Sequence, residues 1–306
     1  MSRPLTLPLC SLTIPPPQGA GGGGEGVRSA VRAVAWVVLA LLAAGCAVWA
    51  PPAVTRVQVD RASPPPIPAD ASDTRVLSTV SWVVIQRLGL PLSLPVRASF
   101  YSSEEALGQG LVTEAGAESW LAKDQARFAT GVGTAQGIFL RSDKLAAAPL
   151  VVRAGLFAHE LTHVSQYELA AGRRASSEQW LREGFADWVR FRTLDILALR
   201  PYAESKRRVL EEVRRAAPVD RFPALGVLVT NRQWISARNE LGGAATYGQA
   251  FLATDWLIER HGSARVIDYF RRFGRSDDRS RNFLAVFGTP AGQFAQEFRS
   301  RLPTLL

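Results

Sequence analysis

The sequence predicts an α+β chain that is mainly helical, with a small mixed sheet packed on helices and a helical C-terminal subdomain from about residue 200. Three observations carry that expectation. Strand-like runs, Leu94 to Tyr101 and Gly137 to Arg141, are confined to the stretch before residue 150. From Val151 onward, apolar residues recur at helical spacing almost to the end. Breakers at Pro201, Pro218, Pro223, Gly242-Gly243, Gly262, Gly274 and Pro290 cut that pattern into separate helices. A cleft where the two parts meet is the expected place for a ligand.

Taken in order, residues 1–26 are low in complexity, with Pro15 to Pro17 and Gly21 to Gly24, and are expected to be disordered. Arg28 and Arg32 then precede an uncharged apolar run, Ala33 to Ala50, so 27–50 reads as a signal anchor or a lipoprotein-type signal segment. Within it, Leu42-Ala43-Ala44-Gly45-Cys46 resembles a bacterial lipobox. The arginines would hold the N-terminal side in the cytoplasm and leave the rest membrane-anchored and extracytoplasmic. Residues 51–74 carry Pro64 to Pro66 and Pro68 and read as an extended linker, with the folded domain spanning 75–306. Val76 to Leu88 has helical spacing, and a glycine-rich loop with Gly131 and Gly133 precedes the second strand. Helices are then expected over about Val151–Ala170 and Ser177–Leu199, and near 202–216, 244–261, 263–273 and 290–301.

With 306 residues, 47% of them hydrophobic, the chain can build one core of moderate size rather than several domains. Its two cysteines, Cys10 and Cys46, form no disulfide framework. The net charge of +9 comes mostly from arginine spread over helices, without an aromatic-interleaved basic patch. Nucleic-acid binding is therefore not expected, and anionic lipid is at most a secondary partner.

The chemistry lies in His159-Glu160-Leu161-Thr162-His163, which holds two of the chain's three histidines. On a helix, residues i and i+4 share a face, so both imidazoles can reach one ion. Glu160 projects to one side of them, where a carboxylate serves as general base for a metal-activated water. A catalytic zinc takes three protein ligands, and Glu183, on the next predicted helix within Trp180-Leu181-Arg182-Glu183-Gly184-Phe185-Ala186-Asp187, is the candidate third. Asp187, one turn further, could accept the free ring N–H of a ligand histidine.

These residues resemble the gluzincins, the thermolysin-like zinc metallopeptidases in which HExxH is followed by a glutamate on the next helix. Trp180 to Ala186 is similar to the WLNEGFA stretch of alanyl aminopeptidases, with Arg182 in place of asparagine. A looser similarity to peptidase-MA-like proteins covers about 76–275. The resemblance implies a zincin-like fold with its sheet packed on the HExxH helix. It implies His159, His163 and Glu183 as Zn2+ ligands, Glu160 as base and Asp187 as support for the first histidine. Tyr247 resembles the tyrosine that donates to the oxyanion, although an aromatic at a helix start also packs on the core. The strand Gly137 to Arg141 would border the cleft and pair with substrate backbone. The GxMEN motif of the aminopeptidases is absent, since Met1 is the only methionine. His261, before Gly262, reads as a helix-capping residue. The implied function is a membrane-anchored zinc metallopeptidase acting on peptide or protein substrates. The alternatives are an inactive binding or structural module on the same fold and a zinc hydrolase of a non-peptide bond.

Overall fold

A computed structural model describes residues 52–58 and 67–306. The predicted anchor, residues 27–50, lies outside the described residues, and among those described no helix is long and apolar enough to cross a membrane. The fold is mainly helical with a small mixed sheet.

The sheet has four strands, β1 (Ala53–Val57), β2 (Val96–Tyr101), β3 (Gly131–Thr134) and β4 (Gly137–Arg141), in the order β1-β2-β4-β3. β1 pairs antiparallel with β2, β2 runs parallel to β4, and β3 returns antiparallel on β4. Period-two alternation puts Val96, Ala98, Ile138 and Leu140 into the main core, and Tyr101, Val132 and Phe139 into a smaller one on the opposite face. That smaller core is completed by α2 (Glu104–Thr113) and α3 (Ser119–Phe128) through Leu107, Leu111, Ala122 and Ala126. The sheet is thus buried on both faces.

Under the main face lie α1 (Asp73–Trp82) and, after the single turn α4 (Ser142–Leu145), the long helix α5 (Leu150–Leu169). Its buried residues Ala154, Phe157, Ala158, Leu161 and Ser165 lie on one face and Glu160, His163 and Gln166 on the others, as expected of a helix enclosed by protein. Next comes α6 (Gln179–Ile196), whose first amides donate to Val229 O and Leu228 O at 2.9 and 3.0 Å, satisfying an N-terminus that carries no side-chain cap. The remaining helices are α7 (Tyr202–Ala216), α8 (Asn231–Leu241), α9 (Gly243–His261), α10 (Ser263–Arg272), α11 (Arg279–Phe287) and α12 (Ala291–Leu305). α6 is packed between α5 and α9, with Phe185, Val189 and Leu194 joining Phe251, Leu257 and Phe270 in one core. Tyr269, Phe283, Phe287 and Phe294 extend that core through α10 to α12.

Three expectations need correction. Ala53–Val57, inside the stretch read as linker, is a sheet strand: its β-branched residues pair with β2 before the proline run begins. Gly131 and Gly133 belong to a strand rather than a loop. β4, expected to border the cleft, is hydrogen-bonded on both sides, so its edges are occupied and β3 is the edge strand next to it.

Gly184 shows how closely α6 and α9 approach, because a methyl there would overlap the Ala250 carbonyl oxygen and the Thr254 hydroxyl. Gly184→Ala is expected to destabilise the chain by about 1–3 kcal/mol. Gly292→Ala, where a methyl meets nothing within 4 Å, should change stability by no more than about 1 kcal/mol. Thermal denaturation of the two variants side by side checks the contrast.

Candidate metal centre

The antiparallel pairing of α5 and α6 builds the site. His159 and His163 lie one turn apart on α5 and face Glu183 and Asp187, one turn apart on α6. His159 Nε2 and His163 Nε2 are 3.1 Å apart, and each lies 3.4 Å from Glu183 Oε2. Three donors on a tetrahedron with bonds of about 2.0–2.1 Å are separated by roughly 3.3–3.4 Å. The triangle therefore has the size that one small divalent cation needs, and these three are the group among the described residues able to hold one.

Each ligand is oriented from behind. His159 Nδ1 donates to Asp187 Oδ1 at 3.0 Å, which leaves the Nε2 lone pair facing the triangle. Gln166 Nε2 donates to the Arg182 carbonyl at 3.0 Å, so its Oε1 must face His163, whose Nδ1 lies 3.0 Å away. Arg174 Nη2 is 2.8 Å from the same Nδ1, and a guanidinium can only donate, so one nitrogen cannot serve both. With Nδ1–H donating to Gln166 Oε1, Nε2 is free for a metal. On Glu183, Gln179 Nε2 donates to Oε1 at 2.6 Å, leaving Oε2 to the histidines.

Without a metal the same contacts favour the cationic form of His159, so an ion at Nε2 takes the place of a proton. Burial alone would lower the His159 pKa, but the hydrogen bonds to Asp187 and Glu183 outweigh it and raise it to about 10. Burial and the charge of Arg174 push His163 down. Burial opposes ionisation of Glu183, yet the two imidazoles facing it hold its carboxyl well below the usual range.

Glu160 is buried beside the triangle, and its Oε2 accepts the backbone N–H of Gly133 at 2.7 Å. A side chain on Gly133 would overlap the Glu160 carbonyl and come within 2.6 Å of His163 Cβ, while one on Gly131 would lie 2.9 Å from Glu160 Cγ. The two glycines thus let the strand lie against the helix. Because Gly133 N–H points away from β4, strand geometry sends the carbonyl of Gly133 and the polar groups of Gly131 to the same outer side.

Tyr247, on α9, is half-buried with its ring centroid 6.5 Å from that of His159, and it also packs edge-on against Trp234 at 4.9 Å. Burial and the neighbouring charge of Glu183 push its phenol well above the ordinary tyrosine range, so it stays protonated. All these groups open on a cleft of about 1550 Å³ between β3 and α3 on one side and α6 to α9 on the other. His261 lies outside that cleft, packed on Phe287.

Sequence reasoning did not single out Gln166, Arg174 or Gln179 as supports. Gln166 and Gln179 stand three or four residues from a ligand on its own helix, which is the signal that finds them. Arg174 follows α5 and carries no such mark. No family model, curated protein or solved structure matches the chain.

Asp187→Asn is expected to lower divalent-metal affinity about 10–100-fold, and Glu183→Ala to lower it further. Competition with a chromophoric chelator measures both. Affinity in Glu183→Ala equal to that of the parent chain would remove Glu183 from the ligand set.

Proposed function

We propose that the chain is a membrane-anchored, zinc-dependent metallopeptidase of gluzincin type, with a zincin-like arrangement of sheet and helices. The single observation that carries this reading is a donor triangle meeting a carboxylate, held beside it by an edge strand, inside a cleft of about 1550 Å³. Two imidazoles and one carboxylate form the N2O donor set that suits zinc with an open fourth position. His159, His163 and Glu183 would hold the ion. When bound, zinc supplies a Lewis acid that lowers the pKa of water and polarises a carbonyl.

The chain's own groups do the rest. Glu160, with Oε2 fixed by Gly133, keeps Oε1 to take a proton from water and pass it to the leaving amine. The Gly133 carbonyl and the outward polar groups of Gly131 add substrate backbone as a further strand, so recognition starts from main-chain hydrogen bonds. Tyr247, protonated and next to His159, donates to the oxyanion that develops on the scissile carbonyl. The uncharged run Ala33 to Ala50, outside the described residues, tethers the catalytic domain on the extracytoplasmic side of a membrane.

Incubation of the chain with a mixed peptide library, with and without chelator, tests the activity. Chelator-sensitive cleavage is expected; stoichiometric zinc without cleavage of any peptide would refute the peptidase. Glu160→Gln should lose about 10²–10⁴-fold in kcat while keeping its zinc. Full activity in that variant would displace Glu160 as the base. Tyr247→Phe should lose roughly 10²–10³-fold in kcat with little change in KM, and an unchanged kcat would leave Tyr247 a packing residue.

A further inference from the structure

The cleft continues past the metal ligands. Glu183, Asp187 and Arg190 follow one another along the cleft-facing side of α6, and Arg190 Nε would lie 3.1 Å from a methyl built on Gly155, one turn before His159 on α5. Arg200, in the turn between α6 and α7, and Arg208 on α7 also line the cleft, with Val152, Leu156 and Phe191 as apolar neighbours. Arg200 feels both of the others. Burial and the charges of Arg208 and Arg190 hold the Arg200 guanidinium below its ordinary range.

Their internal partners are incomplete. Arg208 is paired with Glu204, and Glu204 and Glu212 are the carboxylates beside Arg200. Arg190 reaches Asp187 only at 3.5 Å, and that carboxylate is already committed to His159. The Nε of Arg190 is buried against Gly155, which leaves the terminal guanidinium nitrogens as the donors that can meet a ligand. Among the described residues, no hydrogen bond from the Arg200 side chain is formed. Neighbouring cations with open guanidinium donors along one stretch of the cleft form a place where an anion relieves repulsion and fills open hydrogen bonds. Guanidinium forks match a carboxylate edge-on.

We propose that Arg190, Arg200 and Arg208 form a carboxylate-binding subsite that makes acidic peptides the preferred substrates of the cleft. The proposal rests on the peptidase reading and names its substrate class. Arg190 is seven residues from Glu183, about 10 Å along the helix, which is about three residues of extended peptide. The selected carboxylate therefore sits two to four residues from the scissile bond. It is supplied by an aspartate or glutamate side chain, or by the free C-terminus of a short peptide.

The test uses the full chain, its Glu160→Gln variant, and fluorescent peptides matched in pairs. One pair series exchanges Glu for Gln two to four residues from the cleaved bond, and the other exchanges a free C-terminal acid for its amide. Roughly tenfold tighter binding to Glu160→Gln and higher kcat/KM are expected for the carboxylate member of one series. The responding series identifies the source. Arg200→Gln should bring that ratio close to one, and Arg208→Gln, on the exposed side of α7, should reduce it in case the first variant folds poorly. Equal binding and cleavage of both members in both series overturns the proposal, as does a preference that survives both substitutions. Arginine-dependent binding of the acidic peptides by Glu160→Gln, with no cleavage by the parent chain, supports the subsite and counts against the peptidase alone.

Discussion

Placing the carboxylate of Glu183 between two imidazoles, away from water, is the constraint on which the rest of the structure depends. An ionised carboxylate taken into a protein interior costs several kcal/mol unless its oxygens are satisfied. Here Oε1 accepts from Gln179, and Oε2 has two ring nitrogens at equal distance. That arrangement requires α5 and α6 to run antiparallel in fixed register. It also requires Gly184, so that α9 can press α6 into place from behind. Stability and site geometry therefore share the same helix contacts.

Buried polar groups behind the ligands extend those contacts. Arg182, only 1% exposed, donates to Gln179, to the carbonyls of Arg174 and Ser177, and to Asn231 at the start of α8. Its own carbonyl pins Gln166, which in turn orients His163. One arginine thus joins the two ligand helices to the loop between them and to the start of α8. Burial draws its pKa down to about 9, which still leaves it cationic at neutral pH.

Much of the site was legible because helical spacing is geometry written in sequence. His159, His163, Glu183 and Asp187 fall on facing sides of two helices whose extents the apolar pattern located to within a few residues. The helix over 202–216 matches its expected span, and β4 does as well. Composition misled where it normally signals a loop. Gly131 and Gly133 are a strand because Glu160 and His163 leave no room for side chains, a tertiary cause that local reading cannot contain. β1 was masked by the prolines that follow it, and α2, α3, α8 and α11 were not anticipated at all. The arginine end of the cleft was invisible for another reason: its members come from a helix, a turn and the next helix, and each alone reads as a solvated charge.

Zinc-edge X-ray absorption on the purified chain tests the central claim most directly. The account predicts one zinc per chain, with two imidazole nitrogens and oxygen ligands at about 2.0–2.2 Å and no sulfur. A spectrum without paired imidazole scattering, or one unchanged when His159 and His163 are both replaced, would contradict it.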